Sequence, residues 1–272
     1  FFYHLNIFHN KQNQQRHEED TLVIIHDGNT THGRFAWVAM PYPHTETFAS
    51  DSRGYCIHGR GQRGNTWHSP NAMNLMFSYV YFPEKLEVRH QFMLSQAAAT
   101  AVAEYLTRKG VEGVSIKWPN DIYVGMKKIC GMLIENTVSG HYIRYSIIGI
   151  GVNINQTKFP ENLPNPTSLT IHTGKQYDLD EEFATILEIL RQKIYAISTA
   201  NAGSLMQSYK SVMLGLNKPL IYRSGGKVFK GIIRDVAHNG MITVEDAETH
   251  ETQQYAFNEV NLVIPEQTKD NI

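Results

Sequence analysis

Residues 114–155 read VSIKWPNDIYVGMKKICGMLIENTVSGHYIRYSIIGIGVNIN, and the fold is decided in them. Val114–Trp118 and Ile122–Val124 have strand composition and are broken by Pro119. Lys128–Glu135 reads as a third strand after a Gly125–Met126 turn, and Tyr142–Asn155 as a long fourth one. Side chains alternate along a strand. Ile148, Ile150, Val152 and Ile154 therefore share one face, and Gly149, Gly151, Asn153 and Asn155 the other. Two glycines followed by an amide admit another group close to the backbone; a helix packed tightly on the sheet would use the same pattern. Strand, turn and strand also bring Lys117, Asp121 and Lys128 to one end of the sheet. Asp121 would orient the lysines, and Gly131 would let a ligand approach the next strand. The plain alternative is an ion pair on an exposed hairpin.

The signals on either side are regular. Asn74–Phe82 has strand composition and stops at Pro83. Phe92–Leu106 is rich in alanine and ends before Gly110, which predicts a helix. Asp178-x-x-Glu181 starts another helix, whose Phe183, Ile186, Leu187, Leu190, Ile194 and Ile197 form a core stripe. A shorter helix is predicted over Ser204–Leu214, ending at Gly215. From residue 217 to 264 short β runs alternate with turns: Leu220–Arg223, Val228–Val236, Ile242–Glu245 and Tyr255–Val263, with Gly225–Gly226 and Asn239–Gly240 between. This stretch reads as a small SH3-like β-barrel.

The first 58 residues differ in character. They hold seven of the 13 histidines, and Asn10–Asp20 has no apolar residue, so it reads as loop or disorder. Thr21–Ile25 and Phe35–Met40 are candidate strands. No histidine spacing there makes a convincing ligand set, and no metal site is predicted.

The chain has 272 residues, 42% of them apolar and 19% charged, enough for one large domain or a large and a small one. A formal charge of −1 argues against a chain-wide nucleic-acid surface. No apolar run is long enough for a membrane span and no signal peptide is visible. Only Cys56 and Cys130 occur, which excludes a disulfide scaffold and makes a cytoplasmic home the expectation. The chain opens on Phe1, as a fragment would.

Gly59–Gly64 (GRGQRG) matches G-x-G-x-x-G, but the following NTWHSP is a poor helix start, which disfavours a dinucleotide fold. A mobile loop whose backbone N–H groups, Arg60 and Arg63 wrap an anion is the functional reading; an ordinary exposed turn is the other. The loop does not stand alone. GRGQRGNTW at Gly59–Trp67, His68-Ser69-Pro70 with Asn74-Leu75, KWPND at Lys117–Asp121, KICG at Lys128–Gly131 with Leu133 and Glu135, and GIGVN at Gly149–Asn153 occur in one order and spacing. Over about residues 59–264 that set resembles the biotin protein ligases, in the form without an N-terminal DNA-binding domain.

The resemblance implies an ATP-dependent ligase that makes biotinoyl-AMP and then biotinylates a lysine of a biotin carboxyl carrier protein. ATP and biotin would be substrates, with Mg²⁺ carried in on ATP. Arg60, Gly61 and Gln62 would lie in the loop that closes over biotin. Lys128 would contact the biotin carboxylate and α-phosphate and is the first choice for catalysis, with Lys117 and with Asp121 as orienter or proton acceptor. Gly131 would supply backbone contact to biotin. Arg63, Trp67, Asn120 and Asn153 would serve the nucleotide. No nucleic-acid partner is expected, since no pair of helices is readable before residue 58; a homodimer is compatible with the sequence.

The predicted fold is α+β: a mixed β-sheet with helices packed on one side, forming a catalytic domain over residues 1–216, then the small barrel over 217–272. Two departures from the family stand out. The Ser/Thr-Thr-Asn motif for the biotin ureido ring is not found, and Cys56 stands where the family has glutamine. A reading-frame error upstream of residue 58 or true divergence would each produce this. The alternatives are a lipoate–protein ligase or lipoyl/octanoyl transferase, disfavoured by GRGQRG with KWPND, and a catalytically impaired binding relative.

Overall fold

The structure is a computed structural model that describes residues 21–25, 36–40, 58–60, 66–70, 72–198 and 202–264. The strands before residue 69 are described by their backbone pairing alone.

Seven strands form the main sheet. They are β1 (Thr21–Ile25), β2 (Ala36–Met40), β5 (Leu75–Tyr81), β6 (Val114–Lys117), β7 (Asp121–Val124), β8 (Lys127–Ser139) and β9 (Tyr142–Val152), in the order β2-β1-β5-β9-β8-β7-β6. Between them in sequence, β3 (His58–Arg60) and β4 (Thr66–His68) pair as a separate hairpin. Both strands expected in the histidine-rich part are present, and β1 joins the sheet by pairing with β5.

All six pairings in this sheet are antiparallel, which corrects the expected mixed sheet. The reason lies in the connections. Helix α1 (Phe92–Arg108) carries the chain from β5 to β6, which run in the same direction. Three successive hairpin turns then fold β7, β8 and β9 into the gap, so the two like-directed strands never meet.

Helices cover one face. α1 is buried on nearly all sides, and its run of small alanines allows close packing on the sheet below and on helix α3 (Leu179–Ser198). Phe77 of β5 meets Phe183 of α3 edge to face at 5.1 Å. The Asp178 carboxylate accepts the amides of Asp180 and Glu181, capping α3 where expected. A short α2 (Leu169–Thr173) precedes it, and α4 (Ala202–Ser211) packs on α1. The facing side of the sheet is apolar: Ile116, Ile122, Cys130, Ile148, Val152 and Ile154 are all fully buried.

The last strands are β10 (Pro219–Ser224), β11 (Lys227–Val236), β12 (Ile242–Asp246), β13 (Thr252–Tyr255) and β14 (Asn261–Leu262). They form an antiparallel sheet in the order β13-β12-β11-β10-β14. Among the described residues its end strands do not pair with each other, so the sheet is open where a closed barrel was expected. The cause is local. The predicted strand Tyr255–Val263 is interrupted by a turn in which the Ala256 amide donates to Glu259 Oε2 and Asn258 takes a φ of 70°. One contiguous hydrophobic core, from Leu75 to Val260, runs through both sheets.

Candidate functional site

Register places the charged residues on the face that the helices leave uncovered. Lys117 pairs across from Asp121, and Asp121 from Gly131, so these three share a side. Lys128 lies three residues before Gly131, and an unbroken strand would turn it to the opposite face. A β-bulge prevents this. The β7–β8 register shifts between Ile122 and Tyr123, so Ile122 pairs with Cys130 but Tyr123 pairs with Lys128. The extra residue returns Lys128 to the side of Asp121.

The bulge sits where β9 has ended, and another segment takes over its pairing. Asn153 N–H donates to Ile129 O, Lys128 N–H to Asn165 O at 2.7 Å, and Thr167 N–H to Lys128 O at 2.9 Å. Both backbone polar groups of Lys128 are thus satisfied. Asn153 is buried, and its Nδ2 holds Thr167 O at 2.9 Å, securing the same segment from the other side.

The resulting cluster is compact. Lys128 Nζ lies 2.8 Å from Asp121 Oδ1, and Lys117 Nζ lies 4.0 Å from Oδ2. Lys117 also stands over the Tyr123 ring, 5.9 Å from its centroid. Burial lowers the pKa of Lys117; Asp121 opposes that shift and Lys128 adds to it. Two ammonium groups around one carboxylate leave net positive charge in a half-buried place, which suits an anionic ligand. Beside them, Gly131 pairs with Gly151 across β8 and β9, giving a stretch of that face without side chains. Gly149 lies on the same side, next to Leu133 and Ser78.

The turn between Lys117 and Asp121 is tied at every residue. Trp118 Nε1 donates to Gly240 O at 2.9 Å, Tyr209 Oη donates to Pro119 O at 2.9 Å, and Asn120 Nδ2 donates to Met132 O at 2.8 Å. Asn120 is buried there. The braces Tyr209 and Gly240 were invisible in the sequence, since they lie some ninety and 120 residues away.

The glycine-rich motif is bordered by β3 and β4, where Arg60 pairs with Thr66 and Gly59 with Trp67. Gly61, Gln62 and Arg63 lie outside the described residues, as do the loop reading of Asn10–Asp20 and the residue at position 56. Immediately after β4, a buried network fixes the chain. Asn74 Nδ2 donates to Ser69 Oγ and Gln156 Oε1, and its Oδ1 accepts Ile154 N–H. Ser69 and Asn74 belong to the sequence motif, but their task of joining the hairpin's exit to the end of β9 was not read from it. Among the described residues no group of three or more His, Cys, Asp or Glu is arranged to hold a metal, and no helix is long and apolar enough to cross a membrane.

Comparison with known proteins converges on one group. Residues 55–153 match the biotin/lipoate A/B protein ligase family. The bifunctional ligase/repressor BirA of Escherichia coli is 27% identical over 188 residues, covering 69% of this chain and 58% of that protein. The chain thus spans under two thirds of that relative's length. The biotin–[acetyl-CoA-carboxylase] ligase of Paracoccus denitrificans is 28% identical over 68% of this chain and 78% of its own. Among solved structures, the biotin protein ligase of Aquifex aeolicus in complex with biotin and ATP superposes with a TM-score of 0.63 at 26% identity, covering 76% of this chain and 85% of the other.

Proposed function

We infer, from a chain that resembles the biotin protein ligases and matches their family over residues 55–153, that it joins biotin to a protein lysine at the expense of ATP. A biotin carboxylate oxygen attacks the α-phosphorus, the bond to the β-phosphate breaks, and pyrophosphate leaves. The acceptor lysine amine then attacks the acyl carbon of biotinoyl-AMP, loses a proton and expels AMP. The acceptor is a biotin carboxyl carrier protein. The observation that carries this reading is the Lys117–Asp121–Lys128 cluster on the open face of the sheet.

The reaction joins two anions, so its barrier contains their mutual repulsion, and fixed cations lower it most. Lys128 holds the carboxylate against the α-phosphate; its bond to Asp121 sets its direction before substrate arrives. Lys117 adds a second charge whose solvation is already reduced. Asp121, freed as the lysines turn to substrate, is placed to take the proton from the incoming amine. Gly131 and Gly151 leave room for biotin along the strands, and Arg60, Gly61 and Gln62 cover it. Arg63 and Trp67 serve the nucleotide; Asn120 and Asn153 shape its place through the backbone atoms they hold. Mg²⁺ arrives on the triphosphate as part of the substrate. Residues 1–216 form the catalytic unit and 217–272 a smaller β unit.

The test is pyrophosphate release on adding biotin and ATP, followed by labelling of a carrier domain. Biotin-dependent release and biotin transfer are expected. Labelling with lipoate and not with biotin, or biotin binding without release, overturns the reading.

A further inference from the structure

We propose that Trp118, held by the Asn239–Gly240 turn, is a positioning residue for the lysine cluster, so that the C-terminal sheet sets the geometry of the ligation site. The inference deepens the function proposed above and rests on it.

Trp118 immediately follows Lys117 and is buried against the opposite side of the turn. Its indole N–H donates to Gly240 O at 2.9 Å, and its ring lies 5.3 Å from that of Phe257. Phe257 in turn lies 5.9 Å from Phe92 at the start of α1. The sequence assigns Asn239–Gly240 to a hairpin turn and nothing else. Its surroundings demand more. Gly240 has a φ of 88°, and a Cβ there would come within 2.7 Å of the Phe257 ring and 2.8 Å of the Phe92 ring. Only glycine lets this carbonyl enter the aromatic pocket and reach Trp118.

The chain supplies the lever. Lys117 and Asp121 are joined by three residues, and Lys117, Trp118 and Asp121 move together if the turn shifts. Pro119 and Asn120 are tied to α4 and β8, so Trp118 is the point at which the second sheet enters. The open shape of that sheet follows: the turn after β13 places Phe257 against Trp118 where a continued strand would carry it away.

The experiment compares two variants with the parent chain, by pyrophosphate-release kinetics corrected for folded fraction and by amide hydrogen exchange without ligand. Trp118→Phe keeps a ring and removes the donor. Its kcat is expected to fall about tenfold with KM for biotin and ATP changing less than about threefold, because position and not binding is lost. Amides of residues 117–122 should exchange faster while those of α1 and β11 stay unchanged. Phe257→Leu alters a residue that is 39% exposed and so tolerant of change; a loss of about threefold in kcat is expected in the same pattern. If Trp118→Phe fails to fold, Phe257→Leu decides alone. A kcat within twofold of the parent, or exchange that rises evenly over the molecule, overturns the proposal. If the parent itself releases no pyrophosphate, the proposed function fails, and the exchange pattern still decides whether the brace exists.

Discussion

The two faces of the seven-stranded sheet are built from the same strands and do opposite work. Toward the helices stand Ile116, Ile122, Cys130 and Val152, without exposed surface. Toward the open side stand Lys117, Asp121, Lys128, Gly131 and Gly151, at a fifth to a third exposure for the three charged side chains. Residues adjacent in sequence thus divide into those that hold the fold and those that line the proposed site. The difference teaches that stability and chemistry should separate cleanly under substitution, residue by residue, even between neighbours such as Asp121 and Ile122.

The strongest way to break that separation is at Lys128. Lys128→Ala should lower the rate of biotin-dependent pyrophosphate release on the order of a hundredfold to a thousandfold, the cost typical of losing one fixed charge-stabilising group. Its melting temperature should stay close to the parent's, since Lys128 is partly solvated and its backbone ties persist. A large fall in melting temperature with little loss of rate would join the two faces again. On the other side, Ile122→Ala should cost about 3 kcal/mol of stability in denaturant unfolding, because a fully buried side chain leaves a cavity. The molecules that remain folded should keep their turnover. The smallest effect is expected in the C-terminal sheet. Among the described residues the buried Tyr222 Oη has no hydrogen-bond partner, so Tyr222→Phe should change stability by less than about 0.5 kcal/mol, or raise it slightly. A clear loss there would reveal a partner for the hydroxyl and a polar role for that side of the core.

Much of this division could be read from the chain. The alternation over Ile148–Ile154 placed the apolar residues and glycines on the faces they occupy, since a strand's period of two leaves no freedom once one face is buried. The alanine run of α1 and the Asp178 cap were equally local. The bulge before Cys130 was not legible, because it carries no glycine and arises from what lies beside β8 rather than from β8 itself. Nor could the interruption at residues 256–260 be seen, where aromatic and apolar residues imitate strand composition while Asn258 turns the chain. The direction of the strands depended on which neighbours fill the gap left by α1, a long-range choice with no signature in any short stretch.

The pairing of residues 165–167 with Lys128 uses main-chain atoms on both sides. The place of the Lys128 backbone is therefore set by the route the chain takes through residues 165–167. Residue 165 must still suit a φ of 47°, which favours asparagine or glycine, and adding or removing a single residue in the loop leading to it would shift the main chain that pairs with Lys128: this stretch is strict in length.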